Sequence, residues 1–115
     1  MKYMLLMYWN ESEGPKTPEE QQAAPAAWSA LRKELKAAGV LLANNGLDRV
    51  ANATTVRVRE DKTLITDGPF AETHEKLGGY FLLECNDLDE AIRWAERIPA
   101  AKYGSIEIHP LWGQK

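Results

Sequence analysis

The chain is poor in the residue types that carry the most recognisable chemistry. Among its 115 residues there is one cysteine, Cys85, and there are two histidines, His74 and His109. A single cysteine excludes an intrachain disulfide and a cysteine-based metal site within one chain, and it fits a reducing, cytoplasmic setting. Acids and bases are mixed along the chain at a net charge of −3, with no Lys/Arg cluster, so nucleic acid is not an expected partner. The apolar run at the start, Tyr3 to Trp9, is too short for a signal peptide and far too short to span a membrane. Repeats and low-complexity tracts are missing too, and the length suits one domain over 1–115.

What is present is a regular alternation of patterned segments. Tyr3 to Trp9 is apolar on both faces, as in a strand buried on both faces, usually a central one. Thr17-Pro18-Glu19-Glu20 opens a helix by a capping box with proline in its first turn. Trp28, Leu31, Leu35 and Ala38 form its stripe, and Gly39 ends it. Pro25 predicts a kink or a restart within that helix. Val40 to Ala43 reads as a short strand and Asn44-Asn45-Gly46 as a bend or bulge. Thr54–Arg59 and Thr63–Thr66 read as a hairpin turning at Glu60-Asp61-Lys62. Gly79 to Cys85 is a strand, and Asp87 with Glu90 caps a second helix that runs toward Ile98 and stops at Pro99. Ser105 to Leu111 is the last strand.

This order predicts an α+β fold: a ferredoxin-like antiparallel sheet with two helices on one face and an inserted β-hairpin. Val56, Val58, Phe81, Leu83, Ile106 and Ile108 are expected to face the helices. The opposite face is expected to carry Arg57, Arg59, Tyr80, Leu82, Glu84, Glu107 and His109 beside one apolar face of the first strand. Such a surface is too apolar to stand open, so a homodimer packed sheet to sheet is predicted, with a small-molecule pocket between the sheets.

At Asp67-Gly68-Pro69-Phe70-Ala71-Glu72-Thr73 the chain resembles the YCII-related family, in the branch named for the DGPF motif. The resemblance extends over nearly the whole chain. It includes Met1-Lys2-Tyr3-Met4-Leu5-Leu6, Leu77-Gly78-Gly79-Tyr80, Asp87-Leu88-Asp89-Glu90-Ala91 and Tyr103-Gly104-Ser105-Ile106-Glu107. It implies a dimeric α/β barrel. It also implies an enzymatic role suspected from a histidine near the start of the first helix and an aspartate. Here that region reads Gln21 to Trp28 and contains no histidine, so the pair is not carried over. Some relatives resemble companions of sigma factors by gene neighbourhood, which implies a regulatory context.

The candidate site is therefore assembled from the residues themselves. Asp67 is either a general base at a strand end or the first residue of a tight turn in which its side chain accepts a backbone N–H. Glu107 and His109 are two apart on one strand and point the same way, an arrangement for acid–base transfer or for a structural ion pair. The catalytic candidates are Asp67, Glu107 and His109. The ligand-binding candidates are Arg57, Arg59, Tyr80, Glu84 and Phe70. His74 with Glu72 and Glu75 reads as a solvated loop, and no metal or other cofactor is predicted. The chemistry expected is proton transfer, isomerisation or elimination on a small polar organic molecule. The alternative is a non-catalytic regulatory or dimerisation module.

Overall fold

The computed structural model describes residues 1–70 and 73–114. Its body is a four-stranded antiparallel sheet made of β1 (Lys2–Trp9), β2 (Leu41–Gly46), β5 (Lys76–Glu84) and β6 (Ser105–Pro110), in the order β2-β5-β1-β6. Helices α1 (Pro18–Ala37) and α2 (Leu88–Glu96) connect them in the ferredoxin-like manner. A second, two-stranded sheet of β3 (Thr54–Arg59) and β4 (Lys62–Asp67) is inserted between β2 and β5.

β1 is central, between β5 and β6, but within one chain only its Tyr3–Leu5–Met7 face is buried, while Met4, Leu6 and Tyr8 on the other face are half-buried. Tyr3, Leu5 and Met7 enter the core with Phe81, Leu83 and Cys85 of β5. Both helices pack on this side through Leu31 and Leu35 of α1 and Ala91 and Ala95 of α2, with Ile98 just beyond α2. Ile106 and Ile108 pack against the same cluster, as expected.

Helix ends follow the capping residues. The Thr17 hydroxyl accepts the Glu20 N–H at 3.1 Å, and the Asp87 carboxylate accepts the Glu90 N–H at 2.9 Å. In both cases the glutamate reaches one residue further back than a capping box requires, to the N–H of Lys16 and of Asn86. At the other end of α1, Gly39 has φ +74°. Its N–H donates to Lys36 while Val40 donates to Leu35, which is the Schellman arrangement.

Four expectations need correction. The first is the restart expected at Pro25, which does not occur: one helix runs from Pro18 to Ala37 with Pro25 inside it. Pro25 is exposed, so the Gln21 carbonyl that it leaves without a helical partner lies on the side open to water. The second is Asn44-Asn45-Gly46, read as a bend or bulge, which pairs in register within β2; the irregularity of that strand falls between Leu41 and Ala43. These residues pair with Phe81, Tyr80 and Gly79, so the ladder overrides their turn preference. The third concerns strand starts, since β5 begins at Lys76 and has its irregularity at Gly78. There the Trp9 ring occupies the space that a Cβ would need, at 2.3 Å.

The fourth correction is the largest. Val56 and Val58 do not face the helices. They belong to the separate hairpin, where they are 60% and 59% exposed, with Ile65 at 68%. Arg57 and Arg59 leave the main sheet with them. Alternation fixes which residues share a face, but not which sheet the strand joins. The hairpin turns through Glu60 and Asp61, both left-handed at φ 51° and 63°, as a two-residue turn requires. It projects outward. The radius of gyration is 16.2 Å, against about 13 Å for a compact chain of this size.

Cys85 is buried at the end of β5. Burial first, and then the Glu90 charge, pushes its thiol from 9.0 up to about 11. Below pH 9 the folded chain therefore holds about a hundredfold less thiolate than a free thiol does. Iodoacetamide at pH 8 is expected to alkylate Cys85 at least that much more slowly in the native protein than in urea. Equal rates would contradict both the burial and the shift.

Candidate functional site

The sequence candidates fall in three separate places. Glu107 and His109 come together on edge strand β6, with Glu107 Oε1 2.8 Å from His109 Nε2. They lie opposite Leu6 and Met4 on the helix-free face of the sheet. Glu84 and Tyr80 share that face but stand on β5, beyond β1. Two strand spacings, roughly 9.6 Å, separate the two sets of backbones. Glu84 lies 2.6 Å from the Met1 amine, and the Tyr80 hydroxyl accepts from Asn45 at 3.3 Å. Arg57 and Arg59 are on the projecting hairpin and do not join either group.

Asp67 ends β4 opposite Thr54. Among the described residues its carboxylate accepts no hydrogen bond, so the expected side-chain turn is not seen there. The turn is closed by backbone instead. Gly68, at φ +94°, donates to the Ala53 carbonyl at 2.6 Å, and the Thr55 hydroxyl donates to the Gly68 carbonyl at 2.8 Å. This clamp fixes the base of the hairpin and leaves Phe70 74% exposed just beyond it.

That base closes a pocket of about 640 Å³, within the range of small-molecule sites. On one side are the hairpin and its approach: Leu47, Arg49, Val50, Thr54, Thr55, Pro69 and Phe70. On the other are Tyr8, Lys76 and Leu77 of the main sheet. Phe70 is the sequence candidate that lines it. Asp67, Glu107 and His109 do not.

Tyr8 joins the pocket to the Glu107–His109 pair. Its phenol is raised above its ordinary value, first by burial and then by the charge and hydrogen bonding of Glu107. At neutral pH it keeps its proton and can donate it. A phenol on the pocket wall thus lies in the field of a carboxylate that is itself paired with an imidazole. Sequence reading passed over Tyr8 as one apolar residue of a buried strand. The available signal was its period-two match to Met4 and Leu6 on the face that also carries Glu107.

A second pocket of about 460 Å³ lies beside the middle of α1 and includes Trp9, Trp28, Arg32, Asn44 and Tyr103. Trp28 stacks on Phe81 with centroids 6.4 Å apart and planes 7° from parallel. An aromatic ring therefore stands in the region where the resemblance implies a histidine.

His74 lies in a loop, 3.6 Å from Glu13, with Asn10 donating to its carbonyl at 3.1 Å. Glu75 is held by the Ser105 hydroxyl at 2.6 Å, and Glu72 lies outside the described residues. Among the described residues no three His, Cys, Asp or Glu side chains gather as metal ligands. No described helix is long and apolar enough to cross a membrane.

Comparison with known proteins places this geometry in a family. Residues 1–114 match the YCII-related domain. An uncharacterised protein of Rhizobium meliloti (strain 1021) is 36% identical over 114 residues, covering 96% of this chain and 92% of that protein. With the ferredoxin-like antiparallel sheet, the two helices on one face and a family match that runs almost end to end, the chain belongs to the YCII-related family.

Proposed function

We propose that the chain works as a cytoplasmic homodimer of the DGPF branch, binds a small organic molecule in the pocket at the hairpin base, and moves a proton on it. The observation that supports this reading is that Tyr8, on the pocket wall, shares a sheet face with the Glu107–His109 pair and feels the Glu107 charge. In the forward step a proton leaves the ligand for the Tyr8 oxygen as the phenolic proton passes to the Glu107 carboxylate. The reverse step returns a proton to a different ligand atom. This is an isomerisation and needs no other reactant. His109, 2.8 Å away, holds Glu107 in place.

The dimer is supported by surface that one chain leaves uncovered. Met4, Leu6 and Leu82 are half-exposed on the helix-free face, and Val56, Val58 and Ile65 stand out on the hairpin. A lone two-stranded hairpin is marginal in water, and a second copy would cover both surfaces. The barrel of two sheets implied by the family would follow from that packing.

Sedimentation equilibrium is expected to give a dimer, with Leu6→Asp shifted toward monomer. A thermal-shift screen against organic metabolites is expected to find a stabilising compound. At a hundredfold its Kd, such a ligand adds about 2.7 kcal/mol, or roughly 10 °C in Tm. Glu107→Gln is expected to bind it and lose exchange of the ligand's proton with deuterated water. Unchanged exchange in Glu107→Gln and Tyr8→Phe would remove the relay from the function.

A further inference from the structure

We infer that the pocket at the hairpin base selects a carboxylate carried on a flat apolar body, an aromatic monocarboxylate being the simplest case. This rests on the pocket reading above and adds the ligand's charge and shape. Leu47, Val50 and Leu77 give the pocket apolar walls on both the hairpin side and the sheet side. Two cations, Arg49 and Lys76, stand on opposite sides of it. Among the described residues neither is in an ion pair. Lys76 is half-buried and begins β5, so its backbone is fixed by pairing with Trp9.

Arg49 and Lys76 between them supply N–H donors suited to an anion. One carboxylate, Asp48, also lines the pocket. It is engaged locally, accepting the Arg49 N–H at 2.7 Å, and it leaves the lining with a net positive charge. A guanidinium fork and an ammonium across an apolar gap fit a carboxylate at one end of a hydrophobic ring better than a neutral or cationic head group.

The test uses three probes of one shape and different charge: phenylacetate, phenylacetamide and phenethylammonium. Each is titrated into methyl-labelled full-length protein, and binding is read from the methyl signals of Leu47, Val50 and Leu77. Phenylacetate is expected to move all three, with a Kd about tenfold below that of the amide, the size of one charge-assisted contact. Phenethylammonium is expected to bind more weakly than either. In the Arg49→Gln/Lys76→Gln double variant the preference for the acid should vanish while amide binding persists, and the dispersion of its methyl spectrum reports that it is folded.

Equal affinity for acid and amide at these methyls would overturn the charge selection and leave the pocket standing. Acid preference that survives in the double variant would overturn the assignment to Arg49 and Lys76. If no probe moves the three methyls, the ligand class and the pocket reading both fall.

Discussion

Phe81→Ala should remove about 3–5 kcal/mol of stability, the usual cost of deleting a large aromatic ring from a core. Phe81 is among the largest fully buried side chains and stands in the middle of β5, opposite Leu5 of β1 and Asn44 of β2. Its ring carries the stack with Trp28, which ties the sheet to α1. The substitution therefore leaves a cavity and strips α1 of an aromatic contact. Small domains hold only about 5–15 kcal/mol in total, so much of the margin would go. Urea unfolding is the measurement, with the midpoint lowered and the slope unchanged. Phe81→Leu keeps most of the volume and should cost less than about 2 kcal/mol. Similar losses in the two variants would mean that packing around the ring is looser than the buried geometry indicates.

Gly104→Ala should be nearly as damaging for a different reason. A Cβ at this position would lie 2.0 Å from the Tyr8 carbonyl oxygen and 2.9 Å from Trp9 Cβ. The first of these is backbone of the central strand and cannot swing aside. Gly104 also donates to the Ala100 carbonyl at 2.7 Å, closing the turn that feeds β6. Relief would have to come from moving β6 away from β1, where Ser105 pairs with Tyr8. A loss of about 3 kcal/mol is expected, at the upper end for overpacking. Gly46→Ala is the control, because nothing lies within 4 Å of its Cβ position; its effect should stay within about 0.5 kcal/mol. A well-folded Gly104→Ala protein with unchanged stability would show that the β1–β6 approach is wider than described. A folded but weakened variant should also shift β6 against Tyr8, since Ser105 pairs with it.

The body of the fold was legible because its signals are local and repeated. Tyr3 to Trp9 announces a strand with neighbours on both sides, Thr17 and Asp87 announce helix starts, and Gly39 announces a helix end. Period two was enough to put Glu107 beside His109. What stayed hidden depends on contacts between distant segments. Val56 and Val58 carry the same alternation whether their strand joins the main sheet or stands apart, so their sheet could not be read from it. Tyr8 looks like core until the hairpin base is folded over it. Arg57 and Arg59 were drawn into the site by the same error of sheet membership, while Arg49 and Lys76 sit in stretches whose patterning is too irregular to signal a wall. Pro25 was overvalued because propensity does not register that its face of the helix is open to water.

The backbone closure at Ala53 and Gly68 has a consequence for how this chain can change over evolutionary time. Everything between those two residues enters and leaves the body at one gate. Strands can be lengthened, shortened or recoloured beyond the gate without moving a rung of the four-stranded ladder, because loop closure depends only weakly on length. The body is held to one solution by its core, whereas the arm is free to diverge. A lineage can thus reshape the arm while inheriting the central strands unchanged.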